Sequence, residues 1–325
     1  MFARVHTRGH IGPACYTRGV AVRPFIVVIG SINTDIVLRT PRLPRPGETL
    51  AGGDALVVPG GKGANQAVAA TRLGADVALV GRVGQDDFGN TLRHGLASEG
   101  VDVRHVRRTP GASGTALILL QAGGENSIVL SPGANARVTP ADVDAAVPLL
   151  RRADAVLLQL EIPLATVRHA MKVCRRFGVT VFLDPAPAPP GRVPAWLLKA
   201  DVISPNEAEA AMLLGGPVRS ADATAAALVA AGATNAVLKL GPHGSIHADA
   251  TGVHLKSAGF GIRAVDTTAA GDAFNAALAV ARSNGLPWSE TLRFANAAGA
   301  LACTKLGAQP SLPKRRDVMT LVKKI

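Results

Sequence analysis

Aromatic residues are scarce: they make up 3% of 325 residues, with one tyrosine and two tryptophans. Few rings are therefore on hand to stack bases. Cysteine is nearly absent too. Cys15, Cys174 and Cys303 are odd in number and widely spaced, which excludes a disulfide framework and a cysteine-built zinc site and suits a reducing, cytoplasmic setting. No apolar run approaches the roughly 18 residues of a membrane helix, so no membrane partner is expected. Acids are in short supply, 23 against 35 lysines and arginines, giving a net charge of +12 and a pI near 10.5. Such a balance attracts phosphate-bearing partners, whether nucleic acid, membrane surface or nucleotide. The chain carries neither a nucleic-acid-binding motif nor an aromatic stripe, so a nucleic-acid partner is not expected.

What is present is core-forming. Hydrophobic residues reach 48% and the mean hydropathy is +0.24. The length fits two typical domains, or one large α/β domain with an appendage. Residues 1–24 hold Arg4, Arg8, Arg18 and Arg23 with no acid, punctuated by Gly9, Gly12, Pro13, Gly19 and Pro24. This stretch reads as a basic leader outside the fold, either disordered or a targeting peptide. It lacks the apolar core of a secretion signal and any clear amphipathic helix.

From Phe25 onward, short β-branched runs alternate with helical patterns. Strands are expected at Phe25 to Ile29, Val77 to Val80, Ala155 to Leu158, Val179 to Leu183 and Asn235 to Leu240. Thr139-Pro140 marks a helix start, and Arg175, Arg176 and Gly178 mark a helix end. Repeated strand–helix–strand units imply a three-layer α/β/α, Rossmann-like, mostly parallel sheet over residues 25–325, with ligands beyond the carboxyl ends of its strands. Two stretches break the rhythm. Residues 35–60 carry five prolines and glycines between Pro41 and Gly52 and no helical pattern, and residues 113–131 pair two apolar runs around Gly123-Gly124. Both read as strands of a small separate sheet, a lid over the strand ends.

Four motifs carry chemistry. Gly30 to Asp35 follows the first strand and places Asn33 and Asp35 at the sheet mouth. A carboxylate and an amide there suit a polyol, although an Asx-type turn explains the same residues. In Gly60-Gly61-Lys62-Gly63-Ala64-Asn65-Gln66-Ala67-Val68, glycines lead into a helix whose first N–H groups are unpaired, without the residue order of a P-loop. Asp266 to Asn275 brackets a small-residue turn with two acids. A phosphoryl group can approach the helix start closely there, and Asp272 reads as a catalytic base, although a first-turn aspartate also simply stabilises a helix. In Ser204 to Glu209, Asn206 and Glu209 share a face if helical, as oxygen ligands for magnesium or as a cap and a solvated charge.

In this order, together with Asp184-Pro185-Ala186-Pro187, Pro205-Asn206-Glu207 and Gly307 to Ser311, the motifs resemble the ribokinase branch of the phosphofructokinase-B-type carbohydrate kinases, from about Pro24 to the C-terminus. The resemblance implies phosphoryl transfer from ATP to O5 of D-ribose, or in a sister kinase to deoxyribose, another sugar or a nucleoside. Asp272 would be the base, with the N–H groups of Ala270, Gly271 and Asp272 as an anion hole. Asn33, Thr34, Asp35, Gly61, Lys62, Gly63, Ala64, Asn65 and Glu161 would hold the sugar. Asn206 and Glu209 would organise magnesium through water. The nucleotide would lie along Lys239, Leu240, Gly241, Pro242, His243 and Gly244 and near Asn296, where the family also uses histidine. A potassium ion would be held by Asp266, Thr268, Ala302, Lys305, Gly307 and Ser311, several through carbonyls. A homodimer through the lid is implied as well. The sequence departs from the wider family at Ala269 and Ala276, where glycine is common.

Overall fold

The computed structural model describes residues 23–324 other than 122, 124, 190 and 192. The leader expected over residues 1–24 thus lies almost wholly outside the described residues, as do Cys15 and Gly124.

Nine strands form one sheet: β1 (Phe25–Ile29), β4 (Asp76–Gly84), β5 (Asp102–Thr109), β8 (Ala155–Leu158), β9 (Thr180–Leu183), β10 (Val202–Ile203), β11 (Asn235–Lys239), β12 (Ser245–Asp249) and β13 (Gly252–Ser257). Their spatial order is β13-β12-β11-β10-β9-β8-β1-β4-β5, parallel from β11 to β5, with β12 and β13 added antiparallel at one edge. Alternate residues of β1 feed two cores. Ile26 and Val28 pack with helices Lys62–Arg72, Ala270–Ser283 and Trp288–Ala302 on one face. Val27 and Ile29 pack with helices that include Leu164–Phe177 and Ala221–Ala230 on the other. Burial on both faces explains the β-branched run of β1, and the three layers are those the alternating pattern implies.

The expected helix boundaries hold. Thr139 donates its backbone N–H to Asp142 ahead of helix Pro140–Ala145, and helix Leu164–Phe177 ends on Gly178 at φ 66°.

A second sheet of four strands stands apart: β2 (Asn33–Thr40), β3 (Ala55–Gly60), β6 (Gly114–Gln121) and β7 (Asn126–Ser131), ordered β3-β2-β6-β7. Residues 41–54 form an irregular loop between two of its strands rather than further strand. Asn33 opens β2 opposite Gly60 and Gly114, so Asn33 and Asp35 stand on a strand and not in an Asx-type turn.

Strand order fixes where a ligand can enter. From β1 the chain steps outward to β4 and β5, then returns past β1 to β8 and runs outward the other way. The crevice beyond the carboxyl ends of β1 and β8 is therefore the topological switch point. Ser31, Gln159, Glu161 and, one strand along, Asp184 flank it. No helix among the described residues is long and apolar enough to cross a membrane.

Candidate active site

Asp272 lies in the first turn of helix Ala270–Ser283 and is almost completely buried. Asn65 Nδ2 donates to its Oδ2 at 2.9 Å and Gln66 Nε2 to its Oδ1 at 3.1 Å. Burial drives the Asp272 carboxyl up to about 6. Lys62 and the two amides oppose that rise, and neighbouring Asp184 adds to it. The N–H groups of Gly271 and Asp272 have no partner among the described residues, whereas that of Ala270 donates to the Thr267 carbonyl at 3.2 Å. The helix therefore offers two free donors and the positive end of its dipole.

Asp35 projects from β2 toward the same space. Its carboxyl is pushed up to about 7 by burial and by the charges of Glu161 and Asp272, with Lys62 opposing. It makes no hydrogen bond with the described residues. Asn65 Oδ1 is likewise buried without a partner. An unpartnered carboxylate and an unpartnered amide oxygen beside a buried acid suit a ligand that brings hydroxyl groups.

The glycine-rich turn is built for close approach. Gly61 takes φ 86° at the helix start, and a Cβ on Gly63 would stand 2.6 Å from the Gly30 carbonyl carbon. Ala64 donates its N–H to the Ser31 carbonyl and is fully buried. Gly63 and Ala64 thus pack the helix onto the end of β1. Glu161 accepts the Ser31 hydroxyl and the Lys62 N–H, the latter at 3.1 Å. Asn33 Oδ1 accepts from Asn135 Nδ2 at 2.6 Å. Strand alternation turns the Thr34 side chain to the face opposite Asn33 and Asp35, so Thr34 does not join them.

The Lys62 ammonium has no carboxylate within 4.0 Å among the described residues. Burial alone would lower its pKa, but Asp272, Asp184, Glu161 and Glu209 together raise it. Lys239, at the end of β11, reaches inward instead of staying with the turn that follows it. Its Nζ lies 3.2 Å from Asp184 Oδ1 and 4.0 Å from Glu209 Oε2. A Cβ placed on Gly271 would be 3.6 Å from that ammonium, so Lys239 sits beside the free N–H groups.

Asn206 and Glu209 form a reciprocal cap on helix Glu207–Leu214: Asn206 Oδ1 accepts Glu209 N–H and Glu209 Oε2 accepts Asn206 N–H, each at 2.8 Å. This leaves Glu209 Oε1 for a hydrated divalent cation, a fit of one protein oxygen with the remaining ligands supplied by water and phosphate. Among the described residues no group of three or more His, Cys, Asp or Glu could hold a metal ion by itself.

The turn Leu240 to Gly244 closes on itself through Leu240 N–H to Gly244 O at 2.8 Å, with Gly241, Pro242 and His243 exposed. Asn296 spends its amide on the backbone of Ser257 and Ala258, so it shapes the wall of that region with its donors already engaged.

Asp266 ties two loops together. Its Oδ1 accepts from Thr268 N–H at 2.9 Å and Oγ1 at 2.6 Å, and its Oδ2 accepts from Gly307 N–H at 2.8 Å. Burial alone would raise this carboxyl, but the three donors hold it below its ordinary value. Ser311 turns its hydroxyl onto the Ala308 carbonyl. Ala302 ends helix Trp288–Ala302 and Lys305 lies in the turn after it. The adjacent Cys303 carbonyl accepts from Val265 and Asp266. A carboxylate amid turning backbone fits a monovalent cation held mainly by carbonyl oxygens. A cleft of about 440 Å³ joins this loop to Asp35, Val37 and Leu120 of the small sheet.

Sequence reasoning assigned no site role to Ser31, Gln66, Asn135, Gln159 or Asp184, all of which the structure brings to the crevice. Gln159 and Asp184 directly follow short buried strands, the one signal that could have flagged them.

Over residues 23–315 the chain matches the family model described as pfkB family carbohydrate kinase. It is 39% identical over 302 residues to a ribokinase of Haemophilus influenzae, spanning 92% of this chain and 98% of that protein. It is also 38% identical over 254 residues to a deoxyribokinase of Salmonella typhi, spanning 77% and 82%. The structure of Arabidopsis thaliana ribokinase complexed with ribose and ATP superposes with a TM-score of 0.85 at 35% identity, covering 93% of this chain and 99% of that one. With that match across most of its length, the chain belongs to the pfkB family of carbohydrate kinases.

Proposed function

We propose that this protein transfers the γ-phosphoryl group of ATP to the O5 hydroxyl of D-ribose, giving D-ribose 5-phosphate. The observation that carries the reading is Asp272: a buried carboxylate at a helix start, held by Asn65 and Gln66 and facing the unpartnered Asp35. A carboxyl near 6 is ionised at neutral pH yet still basic enough to accept a proton, the range a general base needs.

Asp35, Asn33 and Asn65 hold the sugar hydroxyls, and the Glu161–Ser31 contact fixes the glycine turn beneath them. Asp272 takes the O5 proton as oxygen attacks the γ-phosphorus. Charge on the transferring group meets the N–H groups of Gly271 and Asp272, with the Lys239 and Lys62 ammonium groups alongside. Glu209 and Asn206 would hold magnesium through water, and the ion would supply neutralisation of phosphate charge. Asp266 and the backbone of the loops around Thr268 and Gly307 would hold a potassium ion, which would supply order to the backbone ahead of the anion hole. The ADP moiety lies toward the turn Leu240 to Gly244. The relatives support this reading: one is a ribokinase seen with ribose and ATP.

The small sheet exposes Leu56, Val57, Leu117, Ile128, Val129 and Leu130. So much apolar surface on one element suits burial against a second copy of the chain. Sedimentation of the protein reads this directly.

A second reading, a deoxyribokinase, is favoured by the Salmonella relative. The test is ADP release with D-ribose, 2-deoxyribose, fructose, adenosine or no acceptor, in potassium and in sodium. Ribose-dependent turnover raised by potassium supports the proposal. Preference for another acceptor discards ribose and keeps the catalytic assignment. Replacing Asp272 by Asn is expected to lower kcat by about 10²–10⁴-fold, and near-full turnover would remove it as the base.

A further inference from the structure

Behind Asp272 runs a chain of amides drawn from separate elements. Gln66 Nε2 donates to Asp272 Oδ1 at 3.1 Å and also to Asp184 Oδ2 at 3.0 Å. Gln66 Oε1 accepts from Gln159 Nε2 at 2.6 Å. Both glutamines are fully buried. Gly30 makes room for this arrangement: a Cβ there would stand 2.0 Å from Gln159 Oε1.

We propose that Gln66 is a positioning residue whose amide, oriented by Gln159, keeps the Asp272 carboxylate ionised, aimed at the acceptor hydroxyl and apart from Asp184. The inference rests on Asp272 being the base.

The chemistry follows from the donor inventory. A primary amide nitrogen carries two hydrogens, and here each meets a different carboxylate. Two buried carboxylates side by side tend to share one proton, which would silence a base. Gln66 supplies one hydrogen to each carboxylate with no net charge, and its bond to Asp272 favours the ionised form of that group. Reversing the amide would set Gln66 Oε1 against two carboxylates. The bond from Gln159 makes the productive orientation the one that satisfies both ends.

The charged groups facing Asp272 are Lys62 from helix Lys62–Arg72, Asp35 from β2, and Asp184 after β9 with its partner Lys239 from β11. Removing the Gln66 amide changes none of these residues, but it takes a donor from Asp184 as well as from Asp272. A shift in the acid limb of the pH profile therefore reports on the loss of the amide between the two carboxylates.

The experiment compares full-length wild type with Gln66→Leu, Gln159→Leu and Asp272→Asn, using the sugar turned over fastest. It records kcat and KM from pH 5 to 9, and the melting temperature. Gln66→Leu is expected to lower kcat by about 10-fold or more and to move the acid limb up by about one pH unit, the effect of losing one hydrogen bond to a charged group. KM for the sugar is expected to change less than about threefold, as for an interaction that acts on turnover rather than ground-state binding. Gln159→Leu is expected to shift the limb the same way by less, and it decides the matter if Gln66→Leu does not fold. A folded variant with its acid limb at the wild-type position overturns the proposal, whatever its stability. If Asp272→Asn is inactive while that limb stays put, only the role of Gln66 fails. If Asp272→Asn turns over normally, the base assignment fails and this inference falls with it.

Discussion

The carboxylate of Asp35 lies over the backbone of Gly60: a Cβ on Gly60 would stand 2.0 Å from Asp35 Oδ2 and 2.4 Å from Oδ1. The two residues belong to neighbouring antiparallel strands, with Asn33 directly opposite Gly60. The missing side chain at residue 60 is what lets Asp35 lean into the crevice beside Asn33. Gly60→Ala would push that carboxylate aside while leaving the strand pairing in place. The expected result is a KM for the sugar raised about 10- to 100-fold, the usual loss when a site built to bind hydroxyls is left mispaired. A smaller change is expected in melting temperature. An unchanged KM would remove Asp35 from sugar binding.

Asp35 and Asp272 also set a pH dependence of stability. Their folded-state values, about 7 and about 6, lie above the ordinary 3.8. Between pH 4 and 7 the folded protein holds protons that the unfolded chain has released, so stability falls as pH rises through that window. Each group contributes a slope of about 1.4 kcal/mol per pH unit where only the folded form is protonated. Asp266, Asp142 and Glu99, held below their ordinary values, act with the opposite sign and only in more acid solution. Denaturant midpoints of the sugar-free protein from pH 4 to 8 are expected to decline, and Asp35→Asn is expected to flatten that decline. Parallel curves for the two proteins would refute the assignment.

Much of this framework was legible in the sequence because the parallel strands are buried on both faces. Phe25–Ile29, Ala155–Leu158 and the centre of Asn235–Lys239 must be apolar, and such short apolar runs announce themselves. The antiparallel strands Ser245–Asp249 and Gly252–Ser257 mix polar and apolar residues, the first because it buries Ser245 and His247 and the second because it is the sheet edge, and they carry no such signal. The site divides in the same way. Asp272, Asn65, Asp35 and Glu209 stand in local motifs of small residues and oxygen donors. The meaning of Gln66 depends on Asp272, 206 residues away, and on Asp184, 118 residues away. No local pattern records a partner at that distance. Lys239 was read as part of a nucleotide-binding turn, and only the fold shows its side chain turned back onto Asp184.

Ala269 is the one non-glycine residue with positive φ among the described residues, at φ 60° and ψ 9°, immediately before helix Ala270–Ser283. An L-residue with a Cβ pays about 1 kcal/mol in this left-handed conformation, and glycine does not. Ala269→Gly is expected to stabilise the protein by up to about 1 kcal/mol, reduced by the greater freedom of glycine in the unfolded chain. A urea midpoint reads it. A loss of stability would mean that the alanine methyl makes a packing contribution larger than the strain.

Several donors converge on Asp266, and its replacement tests the loop ahead of the anion hole. One carboxylate accepts both donors of Thr268 and the N–H of Gly307, so it joins the approach to helix Ala270–Ser283 with the segment that follows helix Trp288–Ala302. Asparagine at this position keeps one acceptor and turns an amide nitrogen toward a donor. The expected cost is about 2 kcal/mol, typical of hydrogen bonds to a charged group. Because the folded carboxyl lies below its ordinary value, this contribution is present above about pH 4 and fades as pH falls through the lowered value. Asp266→Asn should therefore match wild type most closely in acid and fall furthest behind near neutrality. If the same loop holds potassium, the variant also loses most of the difference in turnover between potassium and sodium. Retention of full stability at pH 7 would show that Thr268 and Gly307 find other partners, and retention of the cation response would separate Asp266 from potassium.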